Sequence, residues 1–232
     1  ASPRMQAFLT TRQNDLLTLP ESVALSTALD AALESAETVI ISIGSQSLRS
    51  LLGQSELQAL RSRTVVLCMK GLEMGTGARL SQIAAELLHP SNTVAVWLGP
   101  GHVQEFYRGI PNCMVIDSGN DAVKRRLVQE FSSDLIRFYY GGDMIGNEVG
   151  AAAKNVVGIA AGFLDGVEMS SLKGALMSRG TREVARLIKA MGGNELSAYG
   201  LCHLGDYEAT VFSPYSHNRQ FGESFIRHQD YH

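Results

Sequence analysis

The apolar positions follow two rhythms along the chain. From Leu16 to Leu135, short β-branched runs alternate with amphipathic stretches. Thr38-Val39-Ile40-Ile41-Ser42-Ile43-Gly44, Thr64-Val65-Val66-Leu67-Cys68-Met69 and Thr93-Val94-Ala95-Val96-Trp97-Leu98 read as strands. Ser45 to Leu60 and Thr76 to Leu88 carry apolar residues at helical spacing, as do Leu25, Leu29, Ala32 and Leu33. Continuous apolar strands separated by helices are buried on both faces, which predicts a parallel sheet with helical crossovers. Cys113 to Asp117 adds a strand and Asn120 to Ser132 a helix.

From Asp143 onward the period is helical. Asp143 is placed to cap a helix reaching about Val167, Ser171 to Met191 forms a second that stops at Gly192-Gly193, and Asn194 to Leu201 a short third. The boundary falls at Gly141-Gly142, giving residues 1–141 to an α/β Rossmann-like domain and 142–232 to an all-helical domain. In such sheets ligands bind beyond the carboxyl ends of the strands. The loops to watch are therefore Gly44-Ser45-Gln46, Lys70-Gly71 and Gly99-Pro100-Gly101.

Composition narrows the partner. The chain has 232 residues, 45% of them apolar, with 20 Lys+Arg against 23 Asp+Glu and a net charge of −3. There is ample apolar material for a core, and no basic excess of the kind that neutralises nucleic-acid phosphates. A small molecule or another protein is the expected partner. The most apolar stretch, Val149 to Val167, is interrupted by Lys154, Asn155 and Asp165, so it reads as a buried helix, short of the roughly 18 apolar residues of a membrane span. Ala1-Ser2-Pro3-Arg4 does not open a signal sequence. Cys68, Cys113 and Cys202 have neither metal-ligand spacing nor an even count, and read as small hydrophobes of a reducing, cytoplasmic compartment.

Lys154 is the most informative residue. It sits among small and apolar neighbours with no acidic residue one turn away, and Asn147, Gly150, Lys154 and Gly158 share a helix face, leaving room above the lysine for a ligand. Burial lowers an ammonium's pKa toward the range useful for proton transfer. The bland alternative is a lysine whose stem lies on apolar surface while its head reaches water. Lys70, at the end of a strand, is placed to face an anion or to be an ordinary surface lysine. Asp206, Thr210, His217, Asn218 and Arg219 form a polar cluster in loop or helix-start sequence. His89 and His203 are isolated, and His228 with His232 lacks a third ligand, so no metal is expected.

Eight segments, in order, resemble the NAD(P)-dependent glycerol-3-phosphate dehydrogenase family: Leu19-Pro20; Ser45-Gln46-Ser47-Leu48-Arg49; Lys70-Gly71-Leu72-Glu73; Leu98-Gly99-Pro100; Ile145-Gly146-Asn147-Glu148-Val149-Gly150; Ala151-Ala152-Ala153-Lys154-Asn155-Val156; Leu204-Gly205-Asp206; and Ser213-Pro214-Tyr215-Ser216-His217-Asn218-Arg219-Gln220-Phe221-Gly222. The resemblance implies a dinucleotide-binding domain joined to a helical substrate domain. It also implies hydride transfer between NAD or NADP and C2 of dihydroxyacetone phosphate or glycerol 3-phosphate, a reaction linking glycolysis to glycerophospholipid synthesis, and a homodimer. By resemblance, Lys154 is the general acid. Lys70, Gly99, Asn155, Asp206, Thr210, His217 and Asn218 are substrate-site residues, with Asp206 and Thr210 holding the Lys154 amine. Ser47, Lys70, Val103 and His217 line the cofactor.

Three departures from the family pattern stand out. Nothing before Thr38 supplies the Gly-x-Gly-x-x-Gly turn on which a pyrophosphate rests, so the chain is expected to begin after that unit. His217 stands where the family has arginine, with Arg219 the nearest replacement contact. The family also continues through further helices beyond the last segment. These departures leave two alternatives, a dehydrogenase with altered phosphate recognition and an inactive binding or assembly subunit.

Overall fold

The computed structural model describes residues 3–15 and 17–228, except for the side chain of Arg4. Leu16, the Ala1-Ser2 start of the chain and His232 lie outside the described residues, so the pairing of His232 with His228 lies outside them too. After α1 (Pro3–Thr11) and α2 (Leu29–Leu33) the chain enters the sheet at β1 (Thr38–Ile41). It continues through α3 (Leu48–Leu52), α4 (Ser55–Gln58), β2 (Thr64–Leu67), α5 (Leu80–Leu87), β3 (Thr93–Leu98), α6 (Val103–Tyr107), β4 (Asn112–Ser118), α7 (Asp121–Phe131) and β5 (Ile136–Tyr140). The helical region holds α8 (Met144–Gly166), α9 (Lys173–Ala190), α10 (Asp206–Phe212) and α11 (His217–His228).

The sheet order is β1-β2-β3-β4-β5. β1, β2 and β3 run parallel, as the alternation predicts, but β4 is antiparallel to β3, with Leu98 opposite Val115. The linker explains the difference. Residues 99–111 form the shortest of the four strand-to-strand connections, close to the dozen or so residues that a parallel crossover requires at minimum. The linker turns back beside β3 instead of crossing over the sheet. The reversal brings the start of β4 to the carboxyl end of β3, where a Cβ added at Gly99 would lie 3.1 Å from Met114 Cα. The eleven-residue α7 is long enough to restore a parallel crossover from β4 to β5.

Alternation along the strands builds two cores. Val65, Leu67, Val96 and Leu98 pack with Leu48, Leu52 and Ile83 on one face, while Val66, Ala95, Ile116 and Phe138 pack with Leu127 and Val128 on the other. Helix α8 spans both regions: Ala151 enters the first sheet core, and Val149 packs with Val184, Ile188 and Ala198. Two polar contacts pin its first turns to the sheet. Asn147 Nδ2 donates to Asp117 Oδ2 at 2.8 Å. The buried Glu148 carboxylate accepts from Arg79 Nη1 and from the Ser81 amide and hydroxyl at the start of α5. Asp143 does not cap its own helix; its Oδ2 instead accepts from the Asn194 amide and the Ser197 hydroxyl, tying α8 to the 195–199 turn.

The far half of α8 carries glycines at four-residue intervals. A Cβ added at Gly162 would lie 2.0 Å from the Arg219 carbonyl oxygen, and one at Gly166 would lie 2.6 Å from Ile226 Cβ. Gly222, on α11, faces the Ile159 carbonyl just as tightly. The stripe lets the two helix backbones touch and sets the register of α11 along α8.

Candidate active site

The site is built where the first turns of α10, the middle of α8 and the loops after β2 and β3 meet. Lys154 Nζ donates to Asp206 Oδ1 at 2.8 Å and to Thr210 Oγ1 at 2.9 Å. Asp206 Oδ2 accepts from Lys70 Nζ at 2.5 Å, and Lys70 also donates to the Gly99 carbonyl at 2.9 Å. Thr210 Oγ1 donates in turn to the Asp206 carbonyl, one helical turn back. Five of the expected site residues, 70, 99, 154, 206 and 210, thus form one network joining the two regions.

Two ammonium groups share one carboxylate, which leaves an excess positive charge at the seam. Burial pushes the Lys154 pKa down, Asp206 pulls it up and Lys70 pushes it down again; the balance lies below the ordinary 10.5. Each ammonium has three N–H donors, and each spends two of them among the described residues. One donor on each lysine is left for a ligand oxygen.

The remaining candidates sit around this network. Asn218 Nδ2 donates to Asn155 Oδ1 at 3.0 Å, joining the first turn of α11 to α8 one residue past Lys154. His217, Ser47 and Val103 are exposed, and among the described residues no hydrogen bond or ion pair ties their side chains to the lysine network. The room expected above Lys154 is filled by protein. A Cβ at Gly150 would lie 2.8 Å from His203 Cβ, and one at Gly158 would lie 2.9 Å from Thr210 Cγ2. The glycines serve close packing of the Asp206 segment rather than a ligand.

Arg219 does not replace the family arginine. Its Nη1 donates to Asp165 Oδ2 at 2.7 Å and Glu223 Oε2 at 3.0 Å, and its Nε to the Ser213 carbonyl. Asp165 also takes Lys173 and Ser170. Burial raises the Asp165 pKa, but the hydrogen bonds from Lys173, Arg219 and Ser170 outweigh it and leave the carboxyl below its ordinary 3.8.

Several supporting residues stand in the quoted segments but are given no role by the sequence pattern. Gln46 clamps the loop after β2, donating to the Leu72 carbonyl and accepting from the Met74 amide. Arg49 reinforces it through Glu73 and Glu86. The one sequence signal for Glu148 is an acid inside an otherwise apolar stretch. Burial pushes the Cys68 thiol up to about 11 and the Cys202 thiol up to about 12, which makes both unreactive at neutral pH.

Comparison with known proteins decides the family. The profile for the NAD-dependent glycerol-3-phosphate dehydrogenase N-terminus matches residues 4–124, and that for the C-terminus residues 143–232. The chain belongs to the NAD-dependent glycerol-3-phosphate dehydrogenase family. It is 37% identical over 206 residues to a glycerol-3-phosphate dehydrogenase [NAD(P)+] of Nitrosomonas eutropha, covering 88% of this chain and 62% of that one. Its identity to the Clostridium perfringens enzyme of the same name is 36%, covering 91% and 65%. The crystal structure of a Coxiella burnetii glycerol-3-phosphate dehydrogenase superposes with a TM-score of 0.92 at 26% identity, over 99% of this chain and 72% of that one. A Dunaliella salina structure at 18% identity, covering 97% of this chain and 40% of that one, shares the fold with a TM-score of 0.86. The chain spans a little under two thirds of the length of the curated relatives it matches. The fold is that of the family, a Rossmann-like sheet followed by helices.

Proposed function

We propose that this chain belongs to an NAD(P)-dependent glycerol-3-phosphate dehydrogenase and carries its proton-transfer centre. The observation that supports the reading is the Lys154–Asp206–Lys70 network, a buried lysine of lowered pKa beside a second ammonium at the carboxyl ends of β2 and β3.

The residues present fit a nicotinamide group on this sheet edge. The loops after β1, β2 and β3 open at the end where Lys70 lies, and a Cβ added at Gly44 would meet nothing within 4 Å. Ser47, Lys70, Val103 and His217 would hold the cofactor. When bound, it exchanges a hydride with C2 of the substrate. A carbonyl carbon that gains a hydride leaves its electron pair on oxygen, and Lys154 Nζ gives that oxygen a proton; in the reverse direction neutral Lys154 takes the proton from the alcohol. Asp206 and Thr210 hold the amine in place, while Lys70 adds positive charge where the alkoxide develops. Gly99, through its carbonyl, orients Lys70. Asn155, Asn218 and His217 bind the substrate from α8 and α11.

We place residues 1–141 in the dinucleotide domain and 142–232 in the substrate domain, since the last strand ends at Tyr140 and α8 begins at Met144. The three free thiols support a cytoplasmic location, and the homodimer implied by the resemblance is tested by sedimentation of the whole protein. The activity test is oxidation of NADH or NADPH by the whole protein with dihydroxyacetone phosphate against the unphosphorylated ketone. Turnover with a preference for the phosphorylated ketone is expected; no turnover with either would refute the reading.

A further inference from the structure

His203 is fully buried beside the reactive centre, and neither the mechanism nor the resemblance gives it a role. It lies in a single π-helical turn, Leu201–Gly205, that runs directly into Asp206 at the start of α10. Such turns are rare and concentrate at functional sites. Its Nδ1 lies 3.0 Å from the Gly150 carbonyl oxygen. A carbonyl only accepts, so Nδ1 carries the proton, and Nε2 is left with a bare lone pair that has no partner among the described residues.

The acceptor's place in the fold gives this bond its meaning. In a regular helix the Gly150 carbonyl receives the backbone N–H of residue 154. The same oxygen therefore fixes the backbone of Lys154 from below and the imidazole of the Asp206 segment from the side. Gly150 makes the approach possible, because a Cβ there would lie 2.8 Å from His203 Cβ.

We propose that His203 is a positioning residue: its Nδ1–H bond to the Gly150 carbonyl locks the turn bearing Asp206 onto the helix bearing Lys154 and so sets the contact between carboxylate and ammonium. Burial supports this by pushing the imidazole pKa down, against the raising influence of the Gly150 carbonyl and Asp206, which keeps the ring neutral. The kinetic part of the proposal rests on the dehydrogenase reading; the structural part does not.

Two substitutions separate a donor from a filler. His203→Asn keeps an N–H at nearly the same place, whereas His203→Leu fills the space without a donor. In the whole protein without substrate, NMR of the Lys154 ammonium reports hydrogen exchange at Nζ. Slow exchange is expected in the native protein and in His203→Asn, and exchange faster by about tenfold or more in His203→Leu, since a small displacement of paired groups has large effects. In turnover, His203→Leu should lose about tenfold in kcat with KM within about twofold, the pattern of a displaced catalytic group rather than lost binding. If His203→Leu matches His203→Asn in both readouts, or loses kcat with Lys154 exchange unchanged, the proposal is overturned. Should His203→Leu fail to fold, the tautomer of His203 in the native protein decides: Nδ1–H supports the proposal and Nε2–H overturns it. Absent turnover in every form, together with the expected exchange difference, would refute the dehydrogenase reading and leave the positioning role standing.

Discussion

Helix α8 contributes to two partly buried charge clusters of similar make-up, each a carboxylate between two cations. At its middle, Lys154 shares Asp206 with Lys70; near its end, Asp165 is shared by Lys173 and Arg219. What separates them is where the donors go. Lys173 directs its donors at both oxygens of Asp165 and at the Val211 carbonyl, and Arg219 is spread over Asp165, Glu223 and Ser213. The first cluster keeps a free donor on each lysine and holds one of them at lowered pKa. Under the proposed function, one carboxylate between two cations serves as a reactive centre where each lysine keeps a free donor, and as a scaffold where Lys173 and Arg219 each tie several acceptors together.

Substitutions should separate the two. Lys154→Met is expected to lower kcat by about 10²–10⁴-fold and to leave the melting temperature nearly unchanged, because a buried ammonium is costly to keep. Kinetics and thermal melts on one preparation check both halves. Arg219→Leu should do the opposite. Lys154→Met removes an ammonium that burial disfavours and leaves Asp206 its Lys70 contact. Arg219→Leu takes the guanidinium from Asp165, Glu223 and the Ser213 carbonyl at once and should cost about 3 kcal/mol of stability, the lower end for a broken buried pair. Denaturant unfolding measures it, and a loss below about 1 kcal/mol would mean that this cluster is no scaffold.

Gly162→Ala tests the helix contact that the second cluster clamps. The new methyl would have to displace the Arg219 carbonyl, so overpacking should cost about 1–3 kcal/mol. Gly44→Ala, where an added Cβ meets nothing, is the control and should leave the melt in place. The smallest effect concerns pH. The folded-state pKa of His203 lies below the unfolded 6.5, so between those two values the unfolded chain binds the extra proton. Stability should therefore fall as pH drops below 6.5, with the Asp206 carboxylate and the Tyr207 ring as the titratable groups nearest the imidazole. The slope should flatten in His203→Asn, as unfolding curves at pH 5 and 7 would show.

Much of the frame is legible in the sequence because it rests on local signals. The β-branched runs of β1, β2 and β3 and the apolar stretch of α8 stand in the chain where the structure has them, and Gly192, with φ of 89°, ends α9. Other features depend on partners far along the chain. β5 is hidden because Ile136-Arg137-Phe138-Tyr139-Tyr140 mixes a charge and exposed tyrosines into an outer strand. The reversal of β4 goes with the short connection 99–111, which periodicity does not report. Asp165, Lys173 and Arg219 look like three separate charges until α9 and α11 dock, and glycines that seem to clear a pocket over Lys154 turn out to be filled by His203 and Thr210. Asp206 is legible as a possible partner of a lysine; that it serves two is not.

The central claim is that Lys154 donates the proton from a site where Asp206 holds its pKa up against burial. The pH dependence of kcat for ketone reduction tests it most directly. The rate should fall as Lys154 loses its proton, with an alkaline limb below the ordinary lysine value of 10.5, and Asp206→Asn should move that limb to lower pH. An alkaline limb that stays in place in Asp206→Asn, or that persists in Lys154→Met, would contradict the account.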